Sequence, residues 1–382
     1  MNHSAKSDRI AITMWDFSWL LRRQGSESEY ADFDKVLDEL VERGYNGVRI
    51  DAFPHLISYL EDSKDRKDEF TILPQTYSLQ WGSRSNVTTS IKPQLIEFMS
   101  KCRDRELRVA LSTWFVPDTL NLRDTIHTPQ DFAHVWKTTL KFLEREGFSD
   151  IIEYVDICNE FPFAGWSPCA YKKIFNTSTS NILPYFIPWS ERAKSQAQIY
   201  IDEVVQALKQ EFDYNLTFSS MRLPRKEESI DYSKCDILEV HVWLSDTVAF
   251  GLLSGALLST AQLPFGASIH SYLAPYLYPV LRKMWIQQLD SHMQDVADIA
   301  HRLNKPLYCT EGWATTMYGT PTTYHNHQKW SWIKDICEEG VKLAISKGWH
   351  GICTSNFSQP HFEAIWQDVK WHKRLNSQIR AS

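Results

Sequence analysis

The chain has 382 residues, 43% of them hydrophobic and 23% charged, an ordinary globular balance that excludes a disordered or fibrous protein. A formal net charge of −6 argues against nucleic acid or an anionic membrane as the main partner. The unusual feature is aromatic: Trp 15, Tyr 16 and Phe 19 together make 13% of the chain, which means a bulky core or flat surfaces for ligand stacking.

The first apolar run, Ile10-Ala11-Ile12-Thr13-Met14-Trp15, predicts a strand. Phe33, Val36, Leu37, Leu40 and Val41 recur at helical spacing and predict a helix over roughly 30–43. Gly44 stops it, and Asn46-Gly47 turns the chain into Val48-Arg49-Ile50. The rhythm then repeats. Helices near 92–105 and 129–146 lead into strands over 107–113 and 152–158. A long helix near 190–212 feeds a strand at 216–219, and 236–243 is the next. Helices near 281–303 and 329–347 precede strands at 306–310 and 351–354, and a closing helix starts near Phe362. The fifth helix is weak, with 227–234 its one candidate.

Eight strand–helix units without a Gly- or Pro-rich linker predict an α/β chain forming a single (β/α)8 TIM barrel over 1–382. Its enlarged loops span about 52–90, 161–188 and 244–280. The alternative is an open doubly wound sheet. Such a sheet usually carries a Gly-rich phosphate loop after its first strand, and Trp15-Asp16-Phe17-Ser18-Trp19 cannot serve as one.

Seven cysteines, an odd number with no C-x-x-C pair, read as scattered buried thiols. The polar N-terminus MNHSAKSDRI lacks a signal-peptide apolar stretch, so the expected setting is reducing and cytoplasmic. From Thr247 to Leu281 there is no Asp, Glu, Lys or Arg, yet Gly251, Gly255, Pro264, Gly266, Pro275 and Pro279 interrupt the run. That pattern predicts an insertion buried in the core or covered by another subunit, not a membrane span.

In a barrel of this kind, function belongs at the C-terminal strand ends. In order these carry Trp15/Asp16, Arg49/Asp51, Trp114, Asn159/Glu160, Ser219/Ser220, His241/Trp243, Glu311/Trp313 and Ser355/Asn356. Glu160 and Glu311 each end an apolar strand, where an isolated carboxylate is strongly disfavoured. Each alone could be a structural ion pair. Two across one mouth suit glycoside hydrolysis, in which one carboxyl donates a proton to the leaving oxygen and the other attacks the sugar. Pyranose C–H faces also give the tryptophans something to stack on. No metal or other cofactor is expected, since no lysine or ligand cluster for a barrel aldolase or lyase stands at a strand end.

The motifs resemble those of clan A glycoside hydrolases, most closely the cellulase-like family 5 group. Asp156-Ile157-Cys158-Asn159-Glu160-Phe161-Pro162 resembles their fourth-strand Asn-Glu-Pro motif, and Tyr308-Cys309-Thr310-Glu311-Gly312-Trp313 their seventh-strand motif. Val48-Arg49-Ile50 resembles their second-strand arginine, and Val240-His241-Val242-Trp243 their sixth-strand histidine motif. The resemblance implies a retaining β-glycosidase with Glu160 as acid/base and Glu311 as nucleophile. It makes Asn159 the partner of the sugar 2-hydroxyl, has Arg49 keep Glu311 ionised and oriented through charge-assisted hydrogen bonds, and has His241 line the site near Glu311. An internal ion pair of Arg49 with Asp51 or Glu239 is the competing reading.

The sequence departs from the family in four places. Trp243 stands where a tyrosine is common, and Thr113-Trp114 where a histidine is often found. The eighth strand ends in Cys353-Thr354-Ser355-Asn356-Phe357 without a tryptophan, and Phe161 separates Glu160 from Pro162. Asp16, Trp114, Trp243 and Trp313 join the expected substrate contacts, and Trp15, Trp19, Trp81 and Trp166 also fall near strand ends or in long loops. Trp136, Trp285, Trp330, Trp332, Trp366 and Trp371 fall on predicted helices and are expected to pack. The expected partner is an oligosaccharide or glycoside, with an oligomer contact through 247–281 as one reading of that segment. The alternatives are a non-catalytic carbohydrate-binding barrel and a transglycosylase using the same two glutamates.

Overall fold

The computed structural model describes residues 9–24, 28–63, 65–75, 80–179, 184, 187–221, 230–260, 265–314 and 327–381. Eight parallel strands ring the molecule in chain order: β1 (Ile10–Asp16), β2 (Gly47–Asp51), β3 (Arg108–Ser112), β4 (Ile152–Asp156), β5 (Leu216–Thr217), β6 (Leu238–Glu239), β7 (Leu307–Cys309) and β8 (Gly351–Ile352). Each pairs with its sequence neighbour, and β8 returns to β1. The remaining seam, between β5 and β6, is joined by the parallel bridge Ser220–Val240. Two backbone bonds support it, Ser220 N–H to Glu239 O at 3.1 Å and His241 N–H to Ser220 O at 2.9 Å. The fold is a (β/α)8 barrel, as the alternation predicts.

The outer helices start where local chemistry dictates. Asp32 and Ser190 cap helices Phe33–Glu42 and Glu191–Lys209, each accepting a backbone N–H three residues on. Thr128 and Asp131 form a reciprocal capping box at helix Pro129–Arg145, whose first residue is a proline. Inside the barrel, Ile10, Ile12, Ala110, Tyr154, Ile237 and Tyr308 form a small apolar cluster separate from the strand–helix core. Gly351 makes room for it: a Cβ there would lie 2.1 Å from the Tyr308 ring.

Two expectations need correction. No helix forms over the described part of 227–234, residues 230–234, and 227–229 fall outside the described residues. The helix expected from 281 instead runs Gly266–Leu303, with Pro275 and Pro279 inside it. Four-residue spacing puts both prolines on one side of that helix, so the lost backbone bonds are confined there. The enlarged loops hold structure of their own. That after β2 contains helix Pro54–Glu61 and the antiparallel strands Phe70–Ile72 and Val87–Thr89; that after β4 contains helix Pro168–Phe175. All seven cysteines are free, six of them buried. Among the described residues no helix is long and apolar enough to cross a membrane.

Candidate active site

Arg49 is the centre of the mouth. Its alternating position on β2 points it into the barrel, where it is fully buried. Nη1 donates to Glu311 Oε1 at 3.0 Å and Thr310 Oγ1 at 3.1 Å. Nη2 donates to Asp156 Oδ2 at 2.5 Å, Asn159 Oδ1 at 2.7 Å and Ser112 Oγ at 3.0 Å. Arg49 therefore ties β2, β3, β4 and β7 together. Its carboxylate partners are Glu311 and Asp156, not Asp51 or Glu239 as the competing reading had it. Asp156 is itself fixed by Ser219, whose N–H and Oγ donate to it at 2.7 and 2.9 Å.

Glu160 follows β4 with φ +49°, a left-handed conformation that costs a side-chain-bearing residue energy and recurs at functional sites. Its backbone N–H donates to Ser219 Oγ at 2.9 Å. Glu160 Oε1 lies 2.9 Å from His241 Nδ1, and Trp166 Nε1 donates to Oε2 at 3.4 Å. His241 Nε2 is 3.6 Å from Glu311 Oε1 and 3.7 Å from Glu239 Oε1, so the imidazole stands between the two glutamates. Burial alone drives the imidazolium down, but the Glu311 and Glu160 carboxylates outweigh it and lift His241 to about 9. Burial also pushes the Glu311 carboxyl up to about 7, reinforced by Glu160 and opposed by His241 and Arg49. One carboxylate oxygen from each glutamate and one His241 nitrogen lie within 4.8 Å of one another. A cation bound there would have to displace the His241 proton.

Asp16 ends β1, also left-handed at φ +42°, and accepts Ser18 N–H at 2.5 Å and Ser18 Oγ at 2.6 Å. Burial holds its carboxyl well above the usual range, outweighing the two Ser18 hydrogen bonds that favour the anion, with smaller repulsions from Glu311 and Asp51. Trp114 lies under Arg49, whose guanidinium carbon is 4.8 Å from the ring centroid. Trp243 is buried in the short strand Val242–Trp243, which pairs in parallel with Gly312–Trp313.

Trp313 is a correction. Its indole is wholly buried, donates to Cys353 O at 3.0 Å and packs on Trp349. A Cβ on Gly340, in the outer helix His327–Ser346, would lie 2.4 Å from its ring, so Trp313 fills the strand–helix layer and not the cleft. Trp15 and Trp19 are likewise core, packed on Phe98. Trp81 stacks on Phe357 of the segment after β8. Trp166 was expected only as a stacking surface, and its bond to Glu160 gives it a second role. Asp156, Ser219 and Glu239 were not foreseen as site supports. Glu239 accepts Tyr154 OH at 2.9 Å and Thr310 N–H at 2.9 Å.

Residues 12–380 match the family described as sugar-binding cellulase-like. The chain belongs to the cellulase-like family. A candidate glycoside hydrolase from Parabacteroides distasonis is 33% identical, with a TM-score of 0.84, and the match covers 99% of this chain and 95% of that one. The endo-1,4-β-D-mannanase of Thermotoga petrophila, 12% identical with a TM-score of 0.51 over 90% of this chain and 87% of its own, shares the fold. No curated protein matches the chain significantly. Within this cellulase-like barrel the two motif glutamates stand together at the mouth, on β4 and β7 ends, with Arg49, Asn159 and His241 in hydrogen-bonding or ionic contact with them or with each other.

Proposed function

We propose that the protein is a retaining β-glycoside hydrolase acting on short β-linked oligosaccharides or glycosides. The observation that carries this is the approach of Glu160 and Glu311 oxygens to within 4.8 Å across His241. Retaining enzymes hold their carboxyl groups ~5–5.5 Å apart, whereas inverting ones need ~6.5–9.5 Å to admit a water. In the first step Glu160 gives its proton to the glycosidic oxygen while a Glu311 oxygen attacks the anomeric carbon, breaking the C–O bond and forming a glycosyl ester. In the second step Glu160 takes a proton from water, whose oxygen displaces Glu311 and restores both groups.

The surrounding residues support these roles. Arg49 donates directly to Glu311 and favours its ionised form. With its amide oxygen held by Arg49, Asn159 has N–H groups to offer a sugar 2-hydroxyl, a bond that strengthens in the transition state. Trp166 and His241 hold the Glu160 carboxyl from either oxygen. Both glutamates are only 7% exposed, which suits a pocket for short substrates better than an open groove.

The test is a panel of aryl β-glycosides with the first-formed sugar followed by NMR. Turnover with the β anomer appearing first is expected. An α anomer first would contradict the double displacement, and sugar binding without turnover across the panel would favour the non-catalytic barrel.

A further inference from the structure

The charge-free segment after β6 forms the most conspicuous surface of the molecule. Among the described residues, nine of the thirteen exposed large apolar side chains lie between 248 and 284. They sit on helices Val248–Leu253 and Ala256–Thr260, on Phe265, and on the first half of helix Gly266–Leu303. On the long helix they fall at a strict four-residue interval: Tyr272, Tyr276, Val280 and Met284, with Tyr276 68% and Val280 80% exposed. Such a row forms one straight ridge along the helix surface. The other side of the insertion is well packed, with Phe250 against Trp285 and His270. The apolar ridge is therefore not the exposed half of a poorly folded element.

We propose that this ridge is the contact of a two-fold homodimer, pairing with the same ridge on a second copy of the chain. Three observations select that occupant. First, no Asp, Glu, Lys or Arg occurs from 247 to 281, so a charged partner would be desolvated there without compensation, whereas a second neutral ridge loses nothing. In a chain of net charge −6, this is where two copies can approach without like charges meeting. Second, among the described residues the four exposed large apolar side chains outside the segment, Val41, Leu120, Ile187 and Ile199, are scattered along the chain, so the matching apolar face among those residues is the ridge itself. A face that can pair only with its own copy closes as a two-fold dimer and does not polymerise. Third, the four ridge side chains expose on the order of 500 Å² and the five beside them on the insertion about as much again, so a contact that takes in both reaches the roughly 800 Å² per partner of a standard interface.

The helix spans about 57 Å, so two copies packed antiparallel near Tyr276 and Val280 overlap along the whole ridge. The insertion leaves the barrel at Trp243, next to Val242, whose N–H donates to Glu311 O at 3.2 Å. The dimer contact thus grows from the strand end beside the nucleophile candidate, and the proposal stands independently of the activity assigned to that residue.

The experiment is sedimentation equilibrium of the full chain at micromolar concentration, comparing wild type with a Tyr276→Glu/Val280→Glu double variant, which sets like charges against each other across the two-fold axis. Wild type is expected at twice the chain mass with a melting temperature that rises with protein concentration, and the variant at the single chain mass with unchanged far-ultraviolet circular dichroism and a melting temperature independent of concentration. A monomeric wild type overturns the proposal, and so does a variant that remains dimeric. A monomer that instead floats with phosphatidylcholine vesicles, or binds a soluble polysaccharide through Tyr272 and Tyr276, also overturns it.

Discussion

Arg49 Nη1 lies 3.0 Å from Glu311 Oε1, and the same guanidinium reaches Asp156 through Nη2 at 2.5 Å. One buried cation thus serves a carboxylate at the mouth and a second on β4. Removing it leaves Asp156 buried and uncompensated, which costs about 3–5 kcal/mol. Arg49→Met is expected to lose about that much unfolding free energy in urea. A loss below about 1 kcal/mol would show that the arginine does not hold these strands together.

On the proposed mechanism the glutamate pair sets the pH dependence of activity. With Glu311 pushed up to about 7 by burial and by Glu160, the pair keeps one proton up to about that pH. The proposed mechanism needs one proton on the pair, so kcat/KM is expected to fall as pH rises through about 7. His241, as a cation between the carboxylates, opposes their retention of that proton. His241→Gln is therefore expected to move the alkaline limb to higher pH, along with its loss of rate. A limb that stays in place would mean that His241 is not charged in the free enzyme.

Stability has its own pH windows. His241, raised to about 9 against burial by Glu311 and Glu160, contributes stability that is full below its unfolded value near 6.5 and lost as pH rises to about 9. Burial drives His55 and His372 the other way, to about 3. Tyr45 OH lies 2.9 Å from His372 Nδ1, and Ile365 O lies 3.0 Å from Nε2, an arrangement that fits the neutral ring. Below about 6.5 the unfolded chain takes up protons that these two cannot, costing about 2 kcal/mol each at about pH 5. The raised carboxyls of Glu311 and Asp16 act in the opposite sense over the same window, so the histidines are tested by difference. Between about pH 7 and about pH 5 wild type is expected to lose about 4 kcal/mol relative to a His55→Gln/His372→Gln variant, and an equal change in both proteins would contradict the buried neutral histidines.

Trp313 and Gly340 give a stability test away from the chemistry. A Cβ at 340 would lie 2.4 Å from the indole, in a layer closed by Trp349. Gly340→Ala is expected to cost about 1–3 kcal/mol by overpacking, measured by urea unfolding. A variant as stable as wild type would mean that the Trp313 ring can move aside.

The barrel and its two glutamates were legible because four strand ends carry short local motifs and the helices a clear apolar spacing. Arg49's contact with Glu311 was among the motif's implications, but its second partner was not legible, since a period of two says which residues face the barrel interior but not which of them meet. Asp156, Glu239 and Asp51 all fit that rule, and three-dimensional closure selects Asp156. Trp313 was misread because Gly312–Trp313 leaves the β7 ladder to pair with Val242–Trp243, which resets the alternation. The helix before residue 281 was hidden by Pro275 and Pro279, which in sequence look like breakers.

The assignment of roles to Glu160 and Glu311 is tested most directly by azide rescue. Glu160→Ala and Glu311→Ala are assayed on an activated aryl β-glycoside that wild type hydrolyses, and the anomer of the glycosyl azide is read by NMR. Loss of the acid/base leaves the ester to be opened by azide from the opposite face, so Glu160→Ala is expected to yield the β-azide. Loss of the nucleophile lets azide attack the substrate directly, so Glu311→Ala is expected to yield the α-azide. Each variant alone is expected to be slower by about 10²–10⁴-fold or more. The opposite pair of anomers, or undiminished activity in either variant, would contradict the account.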